Sequence, residues 1–252
     1  MTTETPNNGL NIVTAVYSQI KQQNGLNTEY YDNGQKKFIE GNLKDGKQDG
    51  KWTGWYRNGQ IRSERDFKDG NIDGKHTSWY ENGQIWSERN YKDGNTDGKA
   101  TWWYENGQIE AVENYKYGWA DGKQTAWYEN GQIKRETNYK DAKPDGKATE
   151  WYENGQIKTE HNYQLSKPYP VFIPNGKWTR WYENGQKEGE GYLKDGKKDG
   201  KKDGKWTKWY ENGQKEGERY LKDGKKDGKS TKWDENGQIT VQENYKDGEL
   251  ID

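Results

Sequence analysis

His76 and His161 are the only imidazoles in the chain, and it has no cysteine. They stand in non-equivalent settings far apart, and neither lies beside a recurrent serine, so the nucleophile–base pair that acyl transfer requires is missing. Without thiols, disulfides and cysteine-based zinc sites are excluded as well. Paired carboxylates could serve a glycosidase. Yet Glu64, Glu88, Glu136, Glu160, Glu190 and Glu218 recur once per stretch of similar sequence. A catalytic pair is singular, whereas a repeated glutamate reads as a cross-strand partner of a threonine or lysine. The segments Asp69-Gly70-Asn71-Ile72-Asp73-Gly74 and Asp93-Gly94-Asn95-Thr96-Asp97-Gly98 match the opening of a calcium loop. The bidentate glutamate that should close such a loop is replaced by Tyr80 and Tyr104, and other copies put Lys47 or Lys225 among the ligands. Tight turns account for the motif better. No glycine-rich phosphate loop between strand and helix is present. These residues therefore assign no catalytic group, no metal and no cofactor, and the chain reads as a non-enzyme.

Chemistry of recognition remains. Trp86, Trp102 and Trp119 occupy places where equivalent stretches carry lysine, serine or alanine. Such rings either stack on a partner's side chain or a sugar, or fill a local gap. Tyr169, Val171, Phe172 and Ile173 form a dense apolar cluster in a run that holds three of the five prolines. They either fold back on the scaffold or stay exposed as a recognition patch.

The elements that carry these residues follow from one period. Asn-Gly-Gln recurs with its Asn at 33, 58, 82, 106, 130, 154, 184, 212 and 236, so the dominant spacing is 24. That is the mark of a repeat architecture in which each unit stacks on its neighbours. The composition agrees. Only 27% of residues are hydrophobic, half of that share is aromatic, and 33% are charged, in a chain of 252 residues. Mean hydropathy of −1.60 would place it near disordered chains, but 14 Trp and 19 Tyr at regular intervals would not. A net charge of −1 gives no general pull toward nucleic acid or anionic lipid. No apolar run of membrane-spanning length appears.

Within a unit, Thr77, Trp79 and Tyr80 are strand formers, and Asn82-Gly83 is the strongest short hairpin signal. A two-residue type I′ turn there pairs Glu81 with Gln84, Tyr80 with Ile85, Trp79 with Trp86 and Thr77 with Glu88. Trp55, Trp79, Trp103, Trp127, Trp151, Trp181, Trp209 and Trp233 then form a structural ladder, each ring stacked on its equivalent. The predicted fold is all-β: an elongated single-sheet solenoid of about nine tandem β-hairpins. The array covers residues 27–252 and is interrupted by a proline-rich loop at 165–175. Residues 1–26 precede it as an N-terminal cap; Ile12, Val16 and Ile20 lie on one helical stripe, which predicts a short helix. A second insertion brings lysines at 194, 197, 198, 201, 202, 205 and 208, read as a solvated turn.

The run Asp49-Gly50-Lys51-Trp52-Thr53-Gly54-Trp55-Tyr56-Arg57-Asn58-Gly59-Gln60 and its copies resemble the variant form of the MORN repeat over about residues 28–250. Trp-Tyr-Glu-Asn-Gly-Gln followed by Tyr-Lys-Asp-Gly is similar to the bacterial YwqK-type antitoxin family. The resemblance implies a scaffold that binds a protein partner, in its most specific version a toxin that it neutralises in the cytoplasm. The alternative is a carbohydrate, cell-wall or membrane-associated module that uses surface rings. No nucleic-acid partner is expected, and no secretory signal is seen.

Overall fold

The computed structural model describes residues 24–32, 37–165, 172–193 and 202–251. They form one 21-stranded sheet, from Gly25–Tyr30 to Glu249–Ile251, with no helix among the described residues. The long strands pair antiparallel in chain order, so the sheet is a meander of hairpins, and the short strands Trp119–Ala120 and Phe172–Pro174 each share a partner with the strand that follows them. The helix expected over residues 12–20 lies outside the described residues. Gly25 and Leu26, assigned to the cap, already belong to the first strand. The proline-rich stretch also differs from the expected loop. Leu165 ends the strand Ile157–Leu165, and Phe172–Pro174 forms a short strand against it, pairing Leu165 with Phe172 and Tyr163 with Pro174. The pairing lengthens the hairpin; residues 166–171 lie outside the described residues.

Two turns alternate along the ribbon, and the sequence points to the wrong one as type I′. At Asn82-Gly83 only Gly83 has positive φ (87°). The connection is a five-residue loop in which Tyr80 N donates to Gln84 O at 2.8 Å and Gly83 N donates to Tyr80 O at 3.0 Å. Asn82 does not need the left-handed region, because its Oδ1 accepts from Gln84 N at 2.9 Å, closing the loop by side chain. The type I′ geometry sits instead at Asp-Gly, where Asp93 and Gly94 have φ of 49° and 81°. The longer loop shifts the register beside it. Thr77 faces Glu88 as expected, but Trp79 faces Ile85, with a bulge that leaves Trp86 as the extra residue.

This register corrects the tryptophan ladder. Trp55, Trp79, Trp103, Trp127, Trp151 and Trp233 each oppose an isoleucine, and Trp181 and Trp209 oppose Lys187 and Lys215. The ladder thus alternates ring and aliphatic chain, and all eight rings are half-buried.

Burial follows the midline of the ribbon. On one face Thr77, Thr101, Thr125, Thr149, Thr179, Thr207 and Thr231 are buried; on the other, Trp52, His76, Ala100, Gln124, Ala148, Trp206 and Ser230 are. With no second layer, each is covered only by same-face neighbours. On the threonine face the cover is ionic: Lys51–Glu64 (2.7 Å), Lys75–Glu88 (2.5 Å), Lys123–Glu136 (2.5 Å), Lys147–Glu160, Lys177–Glu190 (3.0 Å) and Lys205–Glu218 (2.8 Å). All six recurrent glutamates are thereby used in holding the sheet.

Candidate binding face

The Tyr-Glu-Asn-Gly-Gln segment ties successive hairpins together. Tyr80 Oη donates to Trp103 O at 2.8 Å, Tyr104 to Trp127 O at 2.7 Å and Tyr128 to Trp151 O at 2.8 Å. The same bond joins Tyr31 to Trp55, Tyr56 to Trp79, Tyr152 to Trp181, Tyr182 to Trp209 and Tyr210 to Trp233. Burial first, then the carboxylates of Glu110 and Glu105, raises the pKa of Tyr80, so the hydroxyl keeps its proton. Asn82 Nδ2 reaches Glu105 O (3.4 Å), and Asn130 Nδ2 reaches Glu153 O (2.9 Å). The glutamine lies against the next loop: a methyl group on Gly107 would sit 2.5 Å from Gln84 Oε1. Sequence reasoning missed this clamp. Its signal was that the whole pentapeptide is repeated, although a hairpin turn needs only Asn-Gly.

The calcium-like segments are accounted for in the same way. Asp73 Oδ2 accepts from Asp93 N at 3.3 Å, and Asp97 Oδ2 from Tyr117 N at 3.0 Å, so these carboxylates cap the adjacent repeat's turn. Among the described residues no group of three His, Asp or Glu is placed to hold a metal.

With constant residues spent on cohesion, variation gathers on the face opposite the threonines. At the bulge position the residues are Arg62, Trp86, Glu110, Lys134, Lys158, Glu188, Glu216 and Thr240. One pairing row away stand Ser78, Trp102, Ala126, Glu150, Arg180, Lys208 and Lys232. Arg180 pairs with Glu188 at 2.8 Å and Lys208 with Glu216 at 2.7 Å, which puts both series on one face. Trp86 is 41% exposed, with its ring 6.5 Å from that of Tyr80. Half-buried Trp102 opposes Ser87, the residue after Trp86, so the two tryptophans are neighbours. Trp119, 64% exposed, stands apart beside the turn at Tyr117-Gly118. Phe172 and Ile173 lie on the short added strand, while Tyr169 and Val171 lie outside the described residues.

Local size matching shapes this face. A methyl group on Gly41 would lie 2.2 Å from Trp52 Cδ2, and one on Gly191 2.2 Å from Trp206 Cδ2. Each of these large rings therefore needs a neighbour without a side chain. Near the other end His76 accepts from Arg65 Nε at 3.2 Å, with Ser78 Oγ 3.0 Å from the same Nε2. Burial, then Arg65 and Arg89, lowers its pKa to about 4. His161 contacts Tyr163 Oη at 3.0 Å. The two imidazoles are not brought together. A cavity of about 570 Å³ opens on the same face between Trp206 and Trp233.

A family described as the MORN repeat variant matches residues 48–69, 72–93, 96–117, 120–141, 144–165, 174–195, 202–223 and 226–247. No curated protein matches the chain. Among solved structures, the crystal structure of TcdB2-TccC3 aligns with 87% of this chain at 11% identity and a TM-score of 0.20, and that of TcdB2-TccC3-Cdc42 with 83% at 9% and 0.19. The chain spans 15% and 14% of the lengths of those two structures.

Proposed function

Because the chain belongs to the MORN repeat variant family, we propose that it is a non-enzymatic scaffold whose variable face binds a protein partner. One observation carries this reading. Residues constant from repeat to repeat are consumed in strand-to-strand and turn-to-turn contacts, whereas side chains of changing charge and size collect on a single face. A rigid sheet with a changing face is how a repeat protein displays a specific surface without altering its frame. In the finer form of the proposal the partner is a toxin, and occupation of the face neutralises it.

The test uses the full chain, tagged and crosslinked in its native host, beside a variant carrying Trp86→Ala, Trp102→Ala, Arg180→Ala and Lys232→Ala. Circular dichroism checks that the variant keeps its sheet. A discrete partner recovered with the parent and lost with the variant supports the proposal; equal recovery with both removes it. Coexpression then examines the finer form, which requires that the recovered partner arrest growth alone and cease to do so beside this chain.

A second reading, ring stacking on a sugar, is favoured by the exposure of Trp119 at 64% and Tyr117 at 63% beside one turn. Retention on a glycan matrix that disappears on Trp119→Ala would distinguish it.

A further inference from the structure

The cavity on the variable face is a trench along the strand Lys215–Lys222. Gly217 pairs with Lys208 on one side and Lys232 on the other, and Arg219 pairs with Trp206 and Ser230. The floor is low because Gly217 has no side chain. Two strand spacings put the walls about 9–10 Å apart, the width of one extended chain. The neighbouring space, over Gly189 and Gly191, is already filled by Trp178 and Trp206, stacked at 5.5 Å.

The trench carries excess positive charge. Lys208 is neutralised by Glu216 at 2.7 Å. Lys202, Arg219, Lys226 and Lys232 have no carboxylate within ion-pairing distance among the described residues. Lys202 Nζ lies 4.4 Å over the Trp206 ring, and Lys226 Nζ 3.9 Å over that of Tyr245. Both ammonium groups thus rest on rings. Burial, then Arg219, lowers the pKa of Lys202, in keeping with cations that lack counter-charge. In a chain of net charge −1 this field is local.

Building on the scaffold reading, we propose that this trench binds an extended acidic segment of the protein partner. In an extended chain every second side chain points the same way, so alternating carboxylates would meet the cations while the intervening residues point outward. Its width admits one strand, and Glu188 and Glu216 on its border oppose a duplex or a broad anionic surface.

The probe is a fluorescein-labelled peptide of alternating Glu and Ala, titrated against the full chain at low salt and followed by anisotropy. Lys202→Glu with Lys226→Glu should weaken binding by about tenfold or more. Lys99→Glu with Lys229→Glu, equal in charge but on the threonine face, should stay within about twofold of the parent. If charge reversal disturbs the sheet, Lys202→Gln with Lys226→Gln replaces it, with the same loss expected. Equal weakening by both pairs, or tighter binding of a single-stranded oligonucleotide or of phosphatidylserine vesicles than of the peptide, would overturn the assignment. Recovery of the native partner separates this inference from its premise. If the trench pair retains a partner that the four-residue variant loses, the scaffold stands and the trench is wrong; if both variants retain it, the scaffold reading itself fails.

Discussion

A tyrosine hydroxyl reaching the backbone of the next hairpin is the smallest unit of cohesion in this protein. Tyr104 Oη donates to Trp127 O at 2.7 Å in a half-buried setting. Removing it by Tyr104→Phe should cost about 1 kcal/mol, read as a lower denaturant midpoint with an unchanged slope. His76 adds a pH-dependent contribution. Its folded pKa is about 4, against roughly 6.5 for a free ring. Between those values the unfolded chain takes up a proton that the folded chain refuses, so this residue's contribution falls as pH drops from 6.5 toward 4 and is constant above 6.5. His76→Gln, which copies Gln124 two repeats on, should lose less stability than the parent between pH 7 and pH 5 in matched urea titrations. Neither effect was legible in the sequence. The tyrosine's partner lies 23 residues away, and the histidine's depressed pKa depends first on its burial and then on Arg65 and Arg89 standing on both flanking strands.

At the level of the hairpin, both turn motifs could be found by inspection, but their geometries could not. Asn-Gly favours type I′ in isolation; here Asn82 closes a wider loop through its own side chain and a bond to the next repeat. The register expected from the short turn held at Thr77–Glu88 and Ser78–Ser87 and failed at Trp79, next to the loop, which is how the ring ladder came to alternate with isoleucine. Asp-Gly takes up the left-handed pair, and two copies depart from it: Tyr117 stands for the aspartate before Gly118, and Ala142 follows Asp141 with φ of 63°. An alanine held there costs roughly 1–2 kcal/mol, partly offset because glycine raises the entropy of the unfolded chain. Ala142→Gly should therefore stabilise the protein by about 0.5–1 kcal/mol, seen as a higher melting temperature, while Gly94→Ala should lower it.

For the whole molecule, the period of 24 was enough to predict a single meandering sheet, because stacked hairpins need only their neighbours. The trench was not foreseeable: it arises where Gly217 falls between Lys208 and Lys232, a coincidence of three strands. Deleting residues 99–122 joins Gly98 to Lys123 in the order every repeat uses. The shortened chain should fold into a sheet that is two strands narrower and less stable by one repeat's share, as urea titration would show. Complete loss of the β signal in circular dichroism would contradict nearest-neighbour cohesion.

The tyrosine bonds also span unequal lengths of chain, 29 residues from Tyr152 to Trp181 and 27 from Tyr182 to Trp209, against 24 from Tyr31 to Trp55 and 23 in the others. Both surpluses enter on the Asp-Gly side, after Leu165 and Leu193, and Glu160 and Glu190 still meet Thr179 and Thr207 across the join. The ribbon therefore has one hem sewn to a fixed stitch and another that takes up unequal lengths of chain. Lineages or engineers could let new segments into that second hem while the embroidered side keeps its pattern.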